Sequence, residues 1–219
     1  MIYKGIKYRS TLNGVIVVQN TKNSAKEITI PPTFNGQPVI AIGDMAFYDN
    51  AELEKITLPN TIQKIGDFAF CDCKNLKTVV IQNMEAVTVG EGAFYNCLAL
   101  ESLDFLVALT KPSTFLGCVN LKSVMVCESI PKDTFRYCQC LKEIHWYGCK
   151  NNIFAETNDT FEQCINLQTL YLYFDLVKFS ENDLVKLKDI TIYCEDTSNV
   201  ANLAYEGYKV VFTDYNLPF

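Results

Sequence analysis

The side chains with most chemistry to offer in this sequence are ten cysteines and a single histidine, His145. Nucleophilic catalysis would have to pair His145, as base, with Cys127 or Cys149, because a general base must reach its nucleophile by a hydrogen bond. No oxyanion signature accompanies either pair. The sequence also lacks a GxxxxGK[ST] phosphate loop, a GxSxG elbow and a GxGxxG turn. Lone carboxylates such as Asp44, Asp67 and Asp104 read as solvated or turn-capping groups. Zinc fares no better: Cys71-x-Cys73 and Cys138-x-Cys140 are spaced too closely for a conventional knuckle, and His145 is the only histidine. Neither a cofactor, nor a metal, nor an enzymatic activity is expected.

What the cysteines do follow is a rhythm. Cys73, Cys97, Cys118, Cys138 and Cys164 each stand three residues after a Phe and three before a Leu, with Asn50 at that phase in the first unit. The phrase runs FYDNAELEKITL from Phe47, FCDCKNLKTVVI from Phe70, FYNCLALESLDF from Phe94, FLGCVNLKSVMV from Phe115, FRYCQCLKEIHW from Phe135 and FEQCINLQTLYL from Phe161. The Phe-to-Phe steps are therefore 23, 24, 21, 20 and 26 residues. Periods of this size mean a solenoid, whose units cannot bury their apolar faces alone and must stack on one another. A residue type tied to the phase packs alike in every coil, and free cysteine is a small, readily buried hydrophobe. The five phased cysteines are expected to be buried thiols, and serine at Cys118 to cost about 1–3 kcal/mol through the buried hydroxyl. Cys71, Cys127, Cys140, Cys149 and Cys194 follow no single phase.

One unit shows how the coil is built. In Leu53-x-x-Ile56-x-Leu58 alternation turns Ile56 and Leu58 inward and Lys55 and Thr57 outward. Pro59 ends the strand, lacking the next ladder donor. Ile62 and Ile65 return under the coil, and Gly66 lets the chain turn. Parallel strands are predicted at residues 54–58, 78–82, 102–106, 123–127, 143–147, 169–173 and 189–193, side by side at about 4.8 Å in one sheet. The inward pairs are then Ile56/Leu58, Val79/Ile81, Leu103/Phe105, Val124/Val126, Ile144/Trp146, Leu170/Leu172 and Ile190/Ile192, with Trp146 in the core. An open solenoid end would invite end-to-end association, so the ends must differ. Residues Gly5 to Arg9 and Val15 to Gln19 around Asn13-Gly14 read as a capping hairpin. At the far end Asn199 to Glu206 reads as a short helix and Lys209 to Phe212 as a closing strand. The expectation is a single solenoid domain over residues 1–219, with a cap at 1–27, repeats at 28–193 and a second cap at 194–219, and a monomer.

Stacked coils also align the outward residues. One column runs Thr57, Val80, Asp104, Met125, His145, Tyr171, Thr191; the next runs Pro59, Gln82, Leu106, Cys127, Tyr147, Tyr173, Tyr193; the edge column ends Glu143, Thr169, Asp189. The last coils thus gather Tyr147, Tyr171, Tyr173 and Tyr193 around His145, with Glu143 and Asp189 at the margin. Clustered tyrosine with a few polar neighbours is a protein-binding composition, since it offers large contact area at small entropic cost. The competing explanations are a cross-strand ladder that only stabilises the strands, or burial of the patch under the C-terminal cap.

Further motifs carry a family resemblance. Ile28-Thr-Ile-Pro, Phe34-Asn-Gly-Gln-Pro-Val39, Ile42-Gly-Asp-Met-Ala-Phe47, Leu53-x-x-Ile-Thr-Leu-Pro59 and Ile65-Gly-Asp-Phe-Ala-Phe70 resemble the BspA-like leucine-rich repeats over about residues 3 to 213. Later units shed the proline and IG elements; Val89-Gly90 is a remnant, residues 130–135 are shortened and 151–160 are an insertion. The resemblance implies a right-handed β-solenoid without catalysis, acting in adhesion or recognition through its concave sheet face on a protein or glycan partner. It also implies a secreted or surface-attached protein of host-associated bacteria or protists. An N-terminus without a signal-type apolar stretch, together with free thiols, suits instead an intracellular scaffold. The net charge of −6 argues against nucleic acid and anionic membranes as partners, and no apolar run long enough for membrane insertion is present.

Overall fold

A computed structural model describes residues 1–20, 24–81, 85–148, 155–156, 160–173, 177–194, 203–204 and 206–213. The chain forms a β-solenoid of stacked coils around one axial apolar core. All seven predicted inward pairs lie in that core, from Ile56 and Leu58 to Ile190 and Ile192, and Trp146 is fully buried. Its indole nitrogen donates to the Glu128 carbonyl at 2.7 Å, which meets its only polar need.

Each coil turns on its Phe-x-x-Cys-x-x-Leu segment. Phe47, Phe70, Phe94, Phe115 and Phe135 form a continuous buried stack with centroids 5.2–5.7 Å apart and planes nearly parallel. Beside it the amides of Phe47, Phe70, Phe94 and Phe115 donate to carbonyls of Ala69, Ala93, Thr114 and Thr134 in the next coil. The thiols then run back: Cys73, Cys97, Cys118, Cys138 and Cys164 donate to the carbonyls of Phe47, Phe70, Phe94, Phe115 and Phe135 at 3.0–3.1 Å. Burial pushes the thiol pKa values up, to about 12 at Cys73 and Cys164, so these groups stay protonated and keep the hydrogen they donate. Every described cysteine is a free thiol; Cys149 lies outside the described residues.

The turn two residues after each Phe requires a left-handed backbone. Asp49, Asp72, Asn96, Gly117, Tyr137 and Gln163 all have φ between 54° and 78°. Asp, Asn and Gly tolerate that conformation best, which explains the first four residue types. Gly66 has a different duty, close approach: a Cβ there would lie 2.6 Å from the Asp44 backbone nitrogen in the preceding coil.

The strands do not form the one ladder that the motif alignment predicts. Glu27–Thr29, Lys55–Leu58, Thr78–Ile81 and Ser102–Leu103 make a short parallel sheet that ends there. A second, long sheet uses the IG segments of the same coils, through Gln37–Ile42, Lys64–Ile65, Val87–Val89 and Val107–Leu109. It continues into Ser123–Cys127, Glu143–Tyr147, Thr169–Leu172, Thr191–Cys194 and Lys209–Phe212. The switch occurs where Val126 pairs with Val107. The 21-residue step from Phe94 to Phe115 still holds two strands, Ser102–Leu103 and Val107–Leu109, and the 20-residue step from Phe115 to Phe135 carries the single longer strand Ser123–Cys127. Asp104 finishes the short sheet by accepting the Ile81 amide at 2.9 Å.

The N-terminal hairpin is as predicted: Ile6–Ser10 pairs antiparallel with Val15–Asn20, the Thr11 amide donates to the Gly14 carbonyl, and the hairpin opens the long sheet. The C-terminal closure differs. A helix, Glu181–Leu187, precedes the last repeat strand, where the repeat pattern placed none. The helix expected at Asn199 to Glu206 falls mainly outside the described residues, of which Leu203 and Ala204 form a short 3-10 turn. Of the 151–160 insertion, Ala155–Glu156 pairs with Val177–Lys178.

Candidate functional site: an aromatic array on the long sheet

Because Glu143–Tyr147 and Thr169–Leu172 are paired in register, their outward residues fall side by side. His145 stacks on Tyr171 with centroids 4.4 Å apart, and Tyr147 on Tyr173 at the same distance. Parallel strands about 4.8 Å apart make this the natural spacing for rings at equivalent positions. The His145 Nδ1 lies 2.9 Å from the Tyr173 hydroxyl, which ties the two columns together. Its Nε2 is 3.9 Å from the Glu143 carboxylate. Burial holds the His145 pKa below the ordinary imidazole value, outweighing the opposite pull of Glu143.

The last strand carries a correction. Tyr171 pairs with Tyr193 and Thr169 with Thr191, so the C-terminal strand sits two residues away from the alignment drawn from the motif. Tyr193 therefore stacks on Tyr171, at 4.9 Å, in the His145 column rather than beside Tyr173. Cys194 takes the inward position and is fully buried. The sequence signal for this was weak, since Ile190, Ile192 and Cys194 can all occupy core positions. The resulting first column is Met125, His145, Tyr171, Tyr193, Val211, and the second is Cys127, Tyr147, Tyr173.

Six of the seven predicted residues are thus brought together: Glu143, His145, Tyr147, Tyr171, Tyr173 and Tyr193, each half-buried. Asp189 is not with them. It lines a separate depression with Phe161, Gln163, Val185 and Lys186 beside the C-terminal helix. Tyr171 is stacked between His145 and Tyr193, and Tyr147 against Tyr173, so the array presents ring edges, hydroxyls and one imidazole. That surface can bury apolar area and exchange hydrogen bonds with a protein. Cys127 adjoins Tyr147 in the pairing register but is buried. Among the described residues no group of three or more His, Cys, Asp or Glu side chains could hold a metal ion, and no helix is long and apolar enough to cross a membrane.

Sequence and structure comparisons agree with the geometry. A family model described as "BspA type Leucine rich repeat region" matches in six copies, over residues 40–168 and 111–209. Among solved structures, the T. pallidum leucine-rich repeat protein (TpLRR) superposes with a TM-score of 0.56 at 17% identity, covering 98% of this chain and 99% of that one. The pneumococcal vaccine antigen PcpA superposes with a TM-score of 0.55 at 17% identity, covering 95% of this chain and 48% of that one. No curated protein matches the sequence.

Proposed function

Since the chain belongs to the BspA-type leucine-rich repeat family, we propose that it is a non-catalytic protein-interaction module that binds its partner on the outward face of the long sheet. The observation that carries this reading is the array of Glu143, His145, Tyr147, Tyr171, Tyr173 and Tyr193 on one face of neighbouring strands. Tyrosine is enriched at interface hot spots because its ring excludes water while its hydroxyl satisfies a partner's polar groups. The biological setting that fits the family is adhesion or recognition at a cell surface, with this face as the concave one.

The free thiols favour no compartment. The five phased cysteines are sealed in the core and donate to carbonyls, so oxidising surroundings would not readily reach them. The intracellular alternative therefore loses the support that cysteine usage lent it.

The test is a protein array probed with the wild-type chain and with a Tyr171→Ala/Tyr173→Ala variant. Loss of two hot-spot side chains is expected to weaken a specific interaction by about tenfold or more. The rings are half-buried and stacked, so the pair also contributes to folding, by about 0.5–1.5 kcal/mol per stack. Tyr171→Phe/Tyr173→Phe separates the two roles: it keeps the stacks and removes the hydroxyls. Binding that survives both variants would exclude this face as the docking site.

A further inference from the structure

Capped solenoids are expected to be closed at both ends, but here the ends are unequal. At the N-terminal end the outermost strand of the long sheet is Ile2–Tyr3, two residues long and antiparallel to the hairpin. So short an edge cannot template another strand effectively. At the opposite end the outermost strand is Lys209–Phe212, which among the described residues pairs only with Thr191–Cys194. It has no proline and no register shift, and Lys209 is its one charge. Its inward phase is also unfinished. Phe212 stands opposite the fully buried Cys194 yet remains 46% exposed, and Val211, opposite Tyr193, is 40% exposed.

We propose that this edge pairs antiparallel with the same edge of a second copy, about a two-fold axis perpendicular to the sheet, so that the protein is a dimer with one continuous long sheet. Side-chain phase restricts the register. Directly opposed residues in an antiparallel pair point to the same side of the sheet. Among the registers this allows, which lie two residues apart, we take the one in which Val211 opposes the partner's Val211, Val210 the partner's Phe212 and Lys209 the partner's Thr213, because it alone sets Val211 and Phe212, the exposed apolar residues, against apolar partners. A one-residue slip would turn the two cores to opposite faces.

Self-complementarity is what makes a second copy the occupant. A two-fold interface demands that one patch match itself. In this register each exposed apolar side chain of the strand meets an apolar one, and Lys209 meets a threonine rather than another lysine. Unpaired backbone groups on both edges are satisfied in the same step. The short N-terminal edge argues against head-to-tail growth and for closure as a dimer. On the outward face the axis would join the two aromatic columns through Tyr193 and Val211 of each copy, presenting two arrays to one bivalent partner. The pairing itself needs no partner and stands independently of the binding reading.

Sedimentation equilibrium and light scattering on the intact chain, across a wide concentration range, test the proposal. The expected result is twice the chain mass, falling to one chain mass for Val211→Lys with the circular dichroism spectrum retained. Ile2→Lys at the other end is expected to leave the dimer intact. Val211→Cys should give a reductant-sensitive covalent dimer under mild oxidation, whereas Val210→Cys and the wild type should not. This arm also decides the matter if the lysine variant fails to fold. A wild-type chain that stays monomeric, without a Val211→Cys cross-link, would overturn the proposal. So would a dimer that persists in Val211→Lys and does not cross-link, because it would be built on another surface.

Discussion

A thiol, an imidazole and a tyrosine hydroxyl each act here through the residue one coil away. Cys118 is fully buried and its Sγ donates to the Phe94 carbonyl at 3.0 Å. Serine at this site could still donate, so its cost should fall near 1 kcal/mol, whereas alanine leaves that carbonyl with the Cys97 amide alone and opens a void, for about 1–3 kcal/mol. Urea denaturation of both variants checks the ranking. A thiol reagent applied to the native protein should spare the five phased cysteines and reach the half-exposed Cys140; full reaction before unfolding would contradict the burial. His145 makes stability depend on pH. Its folded-state pKa lies below the ordinary imidazole value, so the fold prefers the neutral ring. The stability it contributes is complete above the ordinary imidazole value and is lost as pH falls through the folded-state value. Going from about pH 7.5 to about pH 5, the wild type should therefore lose more melting temperature than His145→Phe, whose side chain cannot titrate. Equal losses would show that this imidazole is indifferent to folding.

Closure of the Phe–Cys column depends on the helix Glu181–Leu187. Ser180 caps the helix by accepting the Asp183 amide, and its hydroxyl donates to the Asp183 carboxylate. The same carboxylate does the work of a missing coil. Where Phe47, Phe70, Phe94 and Phe115 donate to a backbone carbonyl of the next coil, Phe161 donates to Asp183 Oδ1 at 3.2 Å, beside Thr160 at 3.0 Å. Asp183 is accordingly buried while it belongs to a surface helix. Replacing it by alanine leaves two buried amides without their acceptor and should cost on the order of 3 kcal/mol, with asparagine costing less because one acceptor oxygen remains. Chemical denaturation measures both; equal costs would mean that the column ends in some other way. The Ser180-x-x-Asp183 spacing was a readable helix start. The surrounding residues, however, break the repeat phase.

Over the whole molecule, stability is a sum of coil-to-coil contacts. Phe115 lies in the middle of the ring stack, between Phe94 and Phe135, and is fully buried. Phe115→Ala should cost about 3–5 kcal/mol. Since each coil touches only its neighbours, amide exchange should accelerate most around residues 94–141 and least in the N-terminal hairpin. Uniform acceleration along the chain would mean that the solenoid opens as one unit. The salt bridges on the surface weigh less. Lys26 and Lys77 flank Glu54 and hold its carboxyl at about 2, but the group is exposed to solvent and such pairs stabilise weakly.

Repetition let the sequence by itself determine the solenoid, the buried thiols, the inward pairs, the core position of Trp146 and the N-terminal hairpin. A contact that recurs at a fixed phase is specified many times over, and an error in one unit does not blur the rest. The tertiary structure decided what happens once per molecule. The jump from two sheets to one at Val107 and Val126 happens at one place along the axis, so no recurring motif specifies it. The two-residue shift that moves Tyr193 onto Tyr171 was undetermined because neighbouring inward positions are equally apolar, so burial energy alone does not choose between registers. Asp183 as the substitute for a carbonyl, and an outer edge at Lys209–Phe212 with its apolar side chains exposed, arise where the repeat stops. There a residue's role is set by the particular coil it faces, and only three-dimensional packing supplies that neighbour.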